Sequence, residues 1–300
     1  TSTANATIDY ILPLGDGRDN VIARYKTNDG MLTGPPSGGT EWNPRTSGRT
    51  TLTVKPFFQR RTLEINDDNI IQFPPVLGLN PGDSVEHETN GIELSLTYDN
   101  RDFIVNPTRG SYQRFAIARD FGWSGSSTSW TAMDLQWAKY VGFGEPGVFR
   151  QKVFAFRFWT AYSPTWTRRQ IGGATVIFKA PPNNMGASLG GADRLRSYPI
   201  GRYSDVAAIY YSAELRLIPE WIGFREWPLI RTLPIRWWQM VLFGEVGRVA
   251  PKFDLGTLHK DMKTTVGLSI RTMVGAKVMR FEFAHGEEAN QFWFLVGQSF

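Results

Sequence analysis

The sequence predicts an all-β protein: an antiparallel transmembrane β-barrel of about twelve strands, in a single domain over residues 1–300. Three observations lead there. The chain is rich in aromatics (Trp 11, Tyr 10, Phe 20), carried on short segments in which apolar and polar residues alternate. No apolar run approaches the roughly 18 residues a membrane helix needs, and mean hydropathy is only −0.28. A membrane barrel hides its apolar content in this way, because lipid-facing and lumen-facing residues alternate. Finally, tight turns and long loops alternate along the chain, as in barrels with short periplasmic turns and longer outer loops.

The cleanest strand runs from Gly91 to Asp99. Ile92, Leu94, Leu96 and Tyr98 share one face, and Glu93, Ser95, Thr97 and Asp99 the other. Strand sides alternate with period two, so one face meets lipid and the other the lumen. Before it, Thr7–Leu14, Asn20–Lys26 and Thr50–Leu63 read as strands. After it come Gly110–Phe121, Thr128–Val141 and Val148–Tyr162. Beyond a long loop follow Asp205–Leu217, Pro234–Val246, Thr264–Met273, Lys277–His285 and Gln291–Phe300. An even count places both ends of the barrel wall on one side. Leu94, Leu96, Phe154, Phe156, Phe158, Leu242, Phe292 and Phe294 are expected to face hydrocarbon.

The connections follow the same scheme. Gly142–Gly147 and Val274–Ala276 are tight turns. Asn66–Asn90, Thr165–Ser204 and Arg248–Lys263 are the long loops of the other side. One segment breaks the pattern: Asp29–Gly48 is long and falls among the turns. Either it is an unusual periplasmic stretch, or the first two strands pair differently. The first strand is expected to meet the last one and close the barrel. That seam is expected to be weak, because Gly297 with Gln298-Ser299 interrupts the last strand before Phe300, and Gly weakens a strand interior.

Several chemistries are excluded or disfavoured. No cysteine is present, so disulfides, thiol nucleophiles and thiolate metal sites are absent. The net charge of +5 is spread thinly, without the clustered patch that nucleic-acid binding needs. No signal peptide is visible at Thr1, as expected of a mature or truncated chain. His87, His259 and His285 have no serine and acid arranged for hydrolysis, and no cluster has metal-ligand spacing. Gly172-Gly173 and Gly190-Gly191 lack the strand–loop–helix setting of a phosphate loop. The expectation is a protein that is not an enzyme, with no cofactor, no metal and no nucleic-acid partner.

Charge lies opposite the aliphatic residues of several strands: Arg114, Asp134, Glu214, Arg216, Arg280 and Glu282. The long loop adds Leu195-Arg196-Ser197-Tyr198 after Gly190-Gly191. An arginine leaving water on such a loop needs carboxylate partners, and Glu214 and Glu245 follow on the next two strands.

These residues resemble the BamA-like outer-membrane assembly superfamily (the bacterial surface antigen family). Its loop motif is of the form Val-Arg-Gly-Phe/Tyr after a Gly-Gly turn. Ala213-Glu214-Leu215 and Phe243-Gly244-Glu245-Val246-Gly247 are similar to the two strands that follow it. Asp99-Asn100-Arg101-Asp102 with Asn106-Pro107-Thr108-Arg109-Gly110, and the ending Phe292-Trp293-Phe294 to Phe300, are also like the family. The resemblance spans about residues 91–300. It departs at Ser197, where the family has glycine, and at Glu245, where it has aspartate. It implies a loop folded into the lumen with Arg196 against Glu214 and Glu245. With seven strands before the loop and five after, it also implies a barrel shortened in its N-terminal half and without periplasmic POTRA domains. The implied location is the bacterial outer membrane, with the lipid bilayer, outer-membrane protein substrates or a periplasmic partner as partners. The implied function is helping to insert or translocate proteins there. The alternative is a passive diffusion channel or a structural barrel without protein substrates.

Overall fold

In the computed structural model, the described residues are 5–13, 23–26, 49–64, 84–221 apart from 124, 127, 146, 172 and 173, 235–297 apart from 276, and 300. Side chains are described within 49–59 and from 88 onward, apart from 171 and 174–176.

The wall is one antiparallel sheet of twelve strands. In chain order these begin with β1 (Asn5–Pro13), β2 (Ala23–Lys26), β3 (Arg49–Glu64) and β4 (Ser84–Asp99). β5 (Arg109–Asp120), β6 (Trp130–Gly142) and β7 (Phe149–Tyr162) follow. The long loop then carries four short strands: β8 (Thr167–Ile171), β9 (Ala174–Phe178), β10 (Ala187–Leu189) and β11 (Tyr203–Asp205). The wall resumes with β12 (Ala207–Pro219), β13 (Ile235–Ala250), β14 (Lys263–Val274), β15 (Lys277–Gly286) and β16 (Asn290–Val296). A single helical turn, α1 (Leu255–Leu258), lies between β13 and β14.

From β3 to β16 the wall strands pair in sequence, β7 meeting β12 directly across the inserted loop. The two-residue period sets the faces. Along β12, Ser212, Glu214 and Arg216 point inward and are buried, while Tyr211, Ala213, Leu215 and Leu217 point out. Leu94, Leu96, Phe154, Leu242, Phe292 and Phe294 are exposed on the outer surface. Phe156 and Phe158 share that outer face but are half-covered by Trp137 and Tyr211. Hydrophobic side chains on the outside and guanidinium and carboxylate groups inside are the reverse of a soluble sandwich, where the apolar faces meet.

The first strands depart from the expected order. β1 lies between β2 and β3 and is antiparallel to both, so β2 and β3 run parallel. Asn5 pairs with Gln59, at the loop-side end of β3, whereas β16 descends to the turn side. The two ends of the wall therefore lie on opposite rims, not on one. Among the described residues the sheet ends at β2 on one edge and β16 on the other, so β1 lies one strand in from the edge rather than at it. Alternation dictates which face a residue takes but not which strand is its neighbour, and that is why the order could not be read from spacing. Asp29–Gly48 lies outside the described residues. The expected loop Asn66–Asn90 is too long at its end, since β4 already begins at Ser84.

At each mouth of the barrel a segment of chain folds inward. On the turn side, the segment between β4 and β5 is tied together by hydrogen bonds to Asp102. Asp102 accepts from the main-chain N–H groups of Phe103, Thr108 and Arg109 at 2.9, 2.8 and 3.2 Å. That segment reaches inward: Asn106 bonds Gln151 of β7 and Gln239 of β13, both at 3.1 Å. Val105 packs on Ile218, Trp237, Met273 and Val278. On the loop side, β10 and β11 form a separate hairpin-like pair folded into the opening.

Candidate functional site

The inward-folded loop makes its own apolar seat. Leu195 and Tyr198 are fully buried with Ala187, Leu189, Trp159, Ala161, Ala208 and Tyr210. The tip is a tight turn in which the Tyr198 N–H donates to the Leu195 carbonyl at 3.0 Å. Leu195 adopts a left-handed φ of +53°, which a branched side chain takes only under strain. Its complete burial holds it there.

Arg196 projects from this turn into a ring of carboxylates. Its Nε donates to Glu245 Oε1 at 2.8 Å and its main-chain N–H to Glu245 Oε2 at 2.7 Å. Nη2 reaches Glu214 at 3.0 Å and Nη1 reaches Glu282 at 3.1 Å. The guanidinium also lies 3.6 Å from the Phe243 ring centre. The Trp293 indole N–H donates to the Arg196 carbonyl at 2.7 Å. The arginine side chain is 2% exposed and all three carboxylates are 0% exposed. One planar cation thus joins β12, β13 and β15. Lysine could not do this, because a compact ammonium lacks the fork of donors.

The carboxylates are shared with wall arginines. Arg216 and Arg271 each contact Glu214 at 2.8 Å. Arg271 and Arg280 contact Glu282 at 3.5 and 3.4 Å. The Tyr210 hydroxyl donates to Glu245 at 2.6 Å. Burying charge is costly unless it is paired and hydrogen-bonded; this network pairs its charges, but leaves Arg216 Nη1, Arg280 Nε and Glu282 Oε2 buried without a hydrogen-bond partner among the described residues. A second group, Arg114 between Glu93 at 2.6 Å and Asp134 at 2.8 Å, faces the lumen from β4, β5 and β6.

The two family departures have structural consequences. Ser197 Oγ sits 2.6 Å from Thr265 Oγ1. A Cβ built on Gly286 would lie 2.2 Å from Ser197 Oγ and 2.9 Å from its Cβ. The bulk that the loop gains at Ser197 is therefore accommodated by a glycine in the wall. Glu245, one methylene longer than aspartate, engages both the main chain and the side chain of Arg196. Sequence reasoning missed Glu282, Phe243 and Trp293 as neighbours of Arg196. Parity placed Glu282 inward, but only the ladder between β14 and β15 fixes its height.

The proposed seam residues lie elsewhere than expected. β16 ends at Val296, and Gly297 follows with φ of +119°, its N–H donating to the Val278 carbonyl at 2.7 Å. Phe300 is not a wall residue. Its ring lies 6.2 Å from that of Tyr140, with the guanidinium carbons of Arg216 and Arg157 at 4.9 and 5.6 Å. Arg216 donates to its carbonyl at 3.3 Å. Phe300 therefore sits inside the barrel, and the positive φ at Gly297 marks where the chain leaves the wall. Among the described residues, β16 pairs with β15 alone and β2 with β1 alone. Among the described residues the edge strands are therefore β2 and β16, with the expected strand Thr7–Leu14 corresponding to β1, one strand in from the edge.

Of the histidines, His259 Nε2 lies 2.9 Å from the Tyr211 hydroxyl and His285 Nδ1 lies 2.6 Å from Asn290 Oδ1. The His87 side chain lies outside the described residues. Among the described residues no group of three metal-capable side chains converges.

Residues 20–300 match the Omp85 superfamily domain. The chain belongs to the Omp85 superfamily. Among solved structures it is similar to BamA from Haemophilus ducreyi lacking POTRA domains 1–3, with a TM-score of 0.52 and 15% identity. The match covers 83% of this chain and 50% of that one, so this chain spans about half the length of that relative. The likeness supports the barrel fold. No curated protein matches the sequence. Within the superfamily frame, Arg196 on the inward loop and the shared carboxylates of β12, β13 and β15 are this chain's candidate functional centre.

Proposed function

We propose that this protein is a bacterial outer-membrane barrel that helps insert or translocate proteins at the outer membrane by parting its wall between β2 and β16, and that it performs no covalent chemistry. The observation that carries this reading is the combination of chain folded into both mouths and an edge strand that ends early. The Arg196 loop and the Val105–Asn106 segment occupy the two mouths. β16 has seven residues against sixteen in β13, and the chain beyond it turns inward to Phe300. A strand edge without a ladder partner is a template for pairing with another strand, and an incoming outer-membrane protein brings strands. The passive-channel alternative draws no support from these inward-folded segments.

Because the native chain has no cysteine, a panel of cysteine pairs between Ala23–Lys26 and Asn290–Val296 tests the proposed seam by crosslinking with no competing thiol. In liposomes that report insertion of a second barrel protein, the oxidised pairs should lose the assisted insertion and recover it on reduction. A crosslinked protein that assists insertion as well as its reduced form would defeat wall opening.

A further inference from the structure

We propose that the lumen holds a binding site for one small oxyanion of the phosphate type, between Arg157 of β7 and Arg194 of the inward loop. The inference goes beyond the function proposed above and does not depend on wall opening. Arg157 is 5% exposed. Its Nη1 donates to the Asp193 carbonyl at 3.2 Å and its Nη2 to Gln136 Oε1 at 3.4 Å. Its Nε is buried and has no hydrogen-bond partner among the described residues. Nε and Nη2 form the side-on edge of the guanidinium, the fork that grips two oxygens of one anion. That edge carries a single long bond to a neutral amide and is otherwise vacant among the described residues.

Arg194 brings a second cation to the same place. The carbonyl that Arg157 holds belongs to the residue just before it. The Arg194 guanidinium carbon lies 4.0 Å from the ring centre of Trp159, which follows Arg157 on the same face of β7, about 7 Å along the strand. Arg196, two residues on, meets three carboxylates, whereas Arg194 forms no hydrogen bond or ion pair among the described residues. Desolvation first, and then the like charge of Arg157, lower the Arg194 guanidinium to about 10. The nearby acids do not offset this: Asp134 is held by Arg114 at 2.8 Å, and Asp193 is exposed. Buried charge is costly unless it is paired, and a like charge alongside adds to the cost. A doubly charged oxyanion answers both cations at once, and its paired oxygens fit the vacant fork as a chloride cannot. Gln136, opposite Trp159 on β6, has a side-chain amide nitrogen without a partner among the described residues and adds a neutral donor. Gln136 and Arg194 are half-buried, so solvent reaches the site from the lumen. The bound anion would fasten the loop to β7, as Arg196 fastens it to β12, β13 and β15.

The test is isothermal titration of the full chain, folded in detergent micelles, with inorganic phosphate in chloride buffer at constant ionic strength. Wild type should bind one phosphate per chain, and acetate, with one charge, several-fold more weakly. Arg157→Lys keeps the charge but removes the fork, and should weaken phosphate binding by about tenfold, the loss of one charge-assisted hydrogen bond. Arg194→Gln should weaken it by a similar factor. Since Arg194 holds no bond that the fold needs, this variant serves if Arg157→Lys does not fold, as judged by heat-dependent migration on gels. Lys139→Gln removes an exposed charge from the outer face of β6 and should bind as wild type does. Phosphate should also slow protease cleavage within residues 187–205 in wild type and not in Arg194→Gln. No phosphate bound by the folded wild type, acetate bound as tightly as phosphate, or binding that survives both Arg157→Lys and Arg194→Gln would overturn the proposal.

Discussion

Replacing Arg196 by alanine does not affect its three carboxylates equally. Glu214 keeps Arg216 and Arg271 at 2.8 Å, and Glu282 keeps Arg271 and Arg280. Among the described residues, Glu245 keeps only the Tyr210 hydroxyl and the main-chain N–H of residue 196. The change therefore strands one fully buried carboxylate. Removing one partner of a buried pair costs about 3–5 kcal/mol, and the retained hydrogen bonds place this case near about 3 kcal/mol. Loss of the cation stacked on Phe243 adds up to about 2 kcal/mol where the site is desolvated. Arg196→Ala should thus release the loop, seen as rapid protease cleavage within residues 187–205 and a lowered unfolding midpoint in urea. Glu245→Gln in the same background removes the stranded charge, so the double variant should lose less than the sum of the singles, with a coupling of about 0.5–3 kcal/mol. An Arg196→Ala protein whose loop resists protease as wild type does would refute the reasoning.

Further expectations concern the wall and the loop rim. Leu94→Arg or Phe154→Arg should cost about 2–4 kcal/mol if these positions lie near the bilayer midplane, read as reduced folding yield into liposomes; an unchanged yield would contradict the lipid-facing assignment. Gly286→Ala should push Ser197 away and make the loop protease-sensitive, and adding Ser197→Gly should restore much of the protection; a single variant as resistant as wild type would remove that steric argument. Glu288, in the turn between β15 and β16, holds the loop rim through the Tyr203 hydroxyl, Arg202 at 2.9 Å and Lys263 at 3.2 Å. The Tyr203 hydrogen bond first, and then those cations, hold its carboxyl below the ordinary carboxylate range. A lowered carboxyl contributes stability above its unfolded value of about 4.3, and that contribution is lost as pH falls through the lower folded value. Acid-stable protease should therefore cut the loop faster below about pH 4 in wild type, but show no such acid step in Glu288→Gln.

Much of the barrel was legible because strand parity is a strict rule. Glu93 beside Leu94, Glu214 beside Leu215 and Glu282 beside Phe281 each assign two faces from the sequence alone. The loop motif likewise pointed to Arg196, Glu214 and Glu245 before any coordinates. Height and neighbour order were not legible. Glu282 joins Arg196 through the register of three strands, and no local pattern encodes that. β1 takes its place between β2 and β3 for reasons that strand spacing does not carry. Phe300 continues an aromatic alternation with Phe292 and Phe294, and only the backbone at Gly297 shows that it leaves the wall. The β8–β9 pair could have been found: Gly172-Gly173 between two short β-prone runs is a hairpin signal, overlooked inside a loop read as irregular.

The most direct measurement is the planar-bilayer conductance of the wild-type protein. If the lumen is closed by its own loop and by the segment at Val105–Asn106, and the barrel works through its wall, the wild type should show no steady open pore, and Arg196→Ala should raise the frequency of openings. A large, steady, ohmic conductance in the wild type, unchanged by Arg196→Ala, would contradict a plugged barrel and favour a diffusion channel.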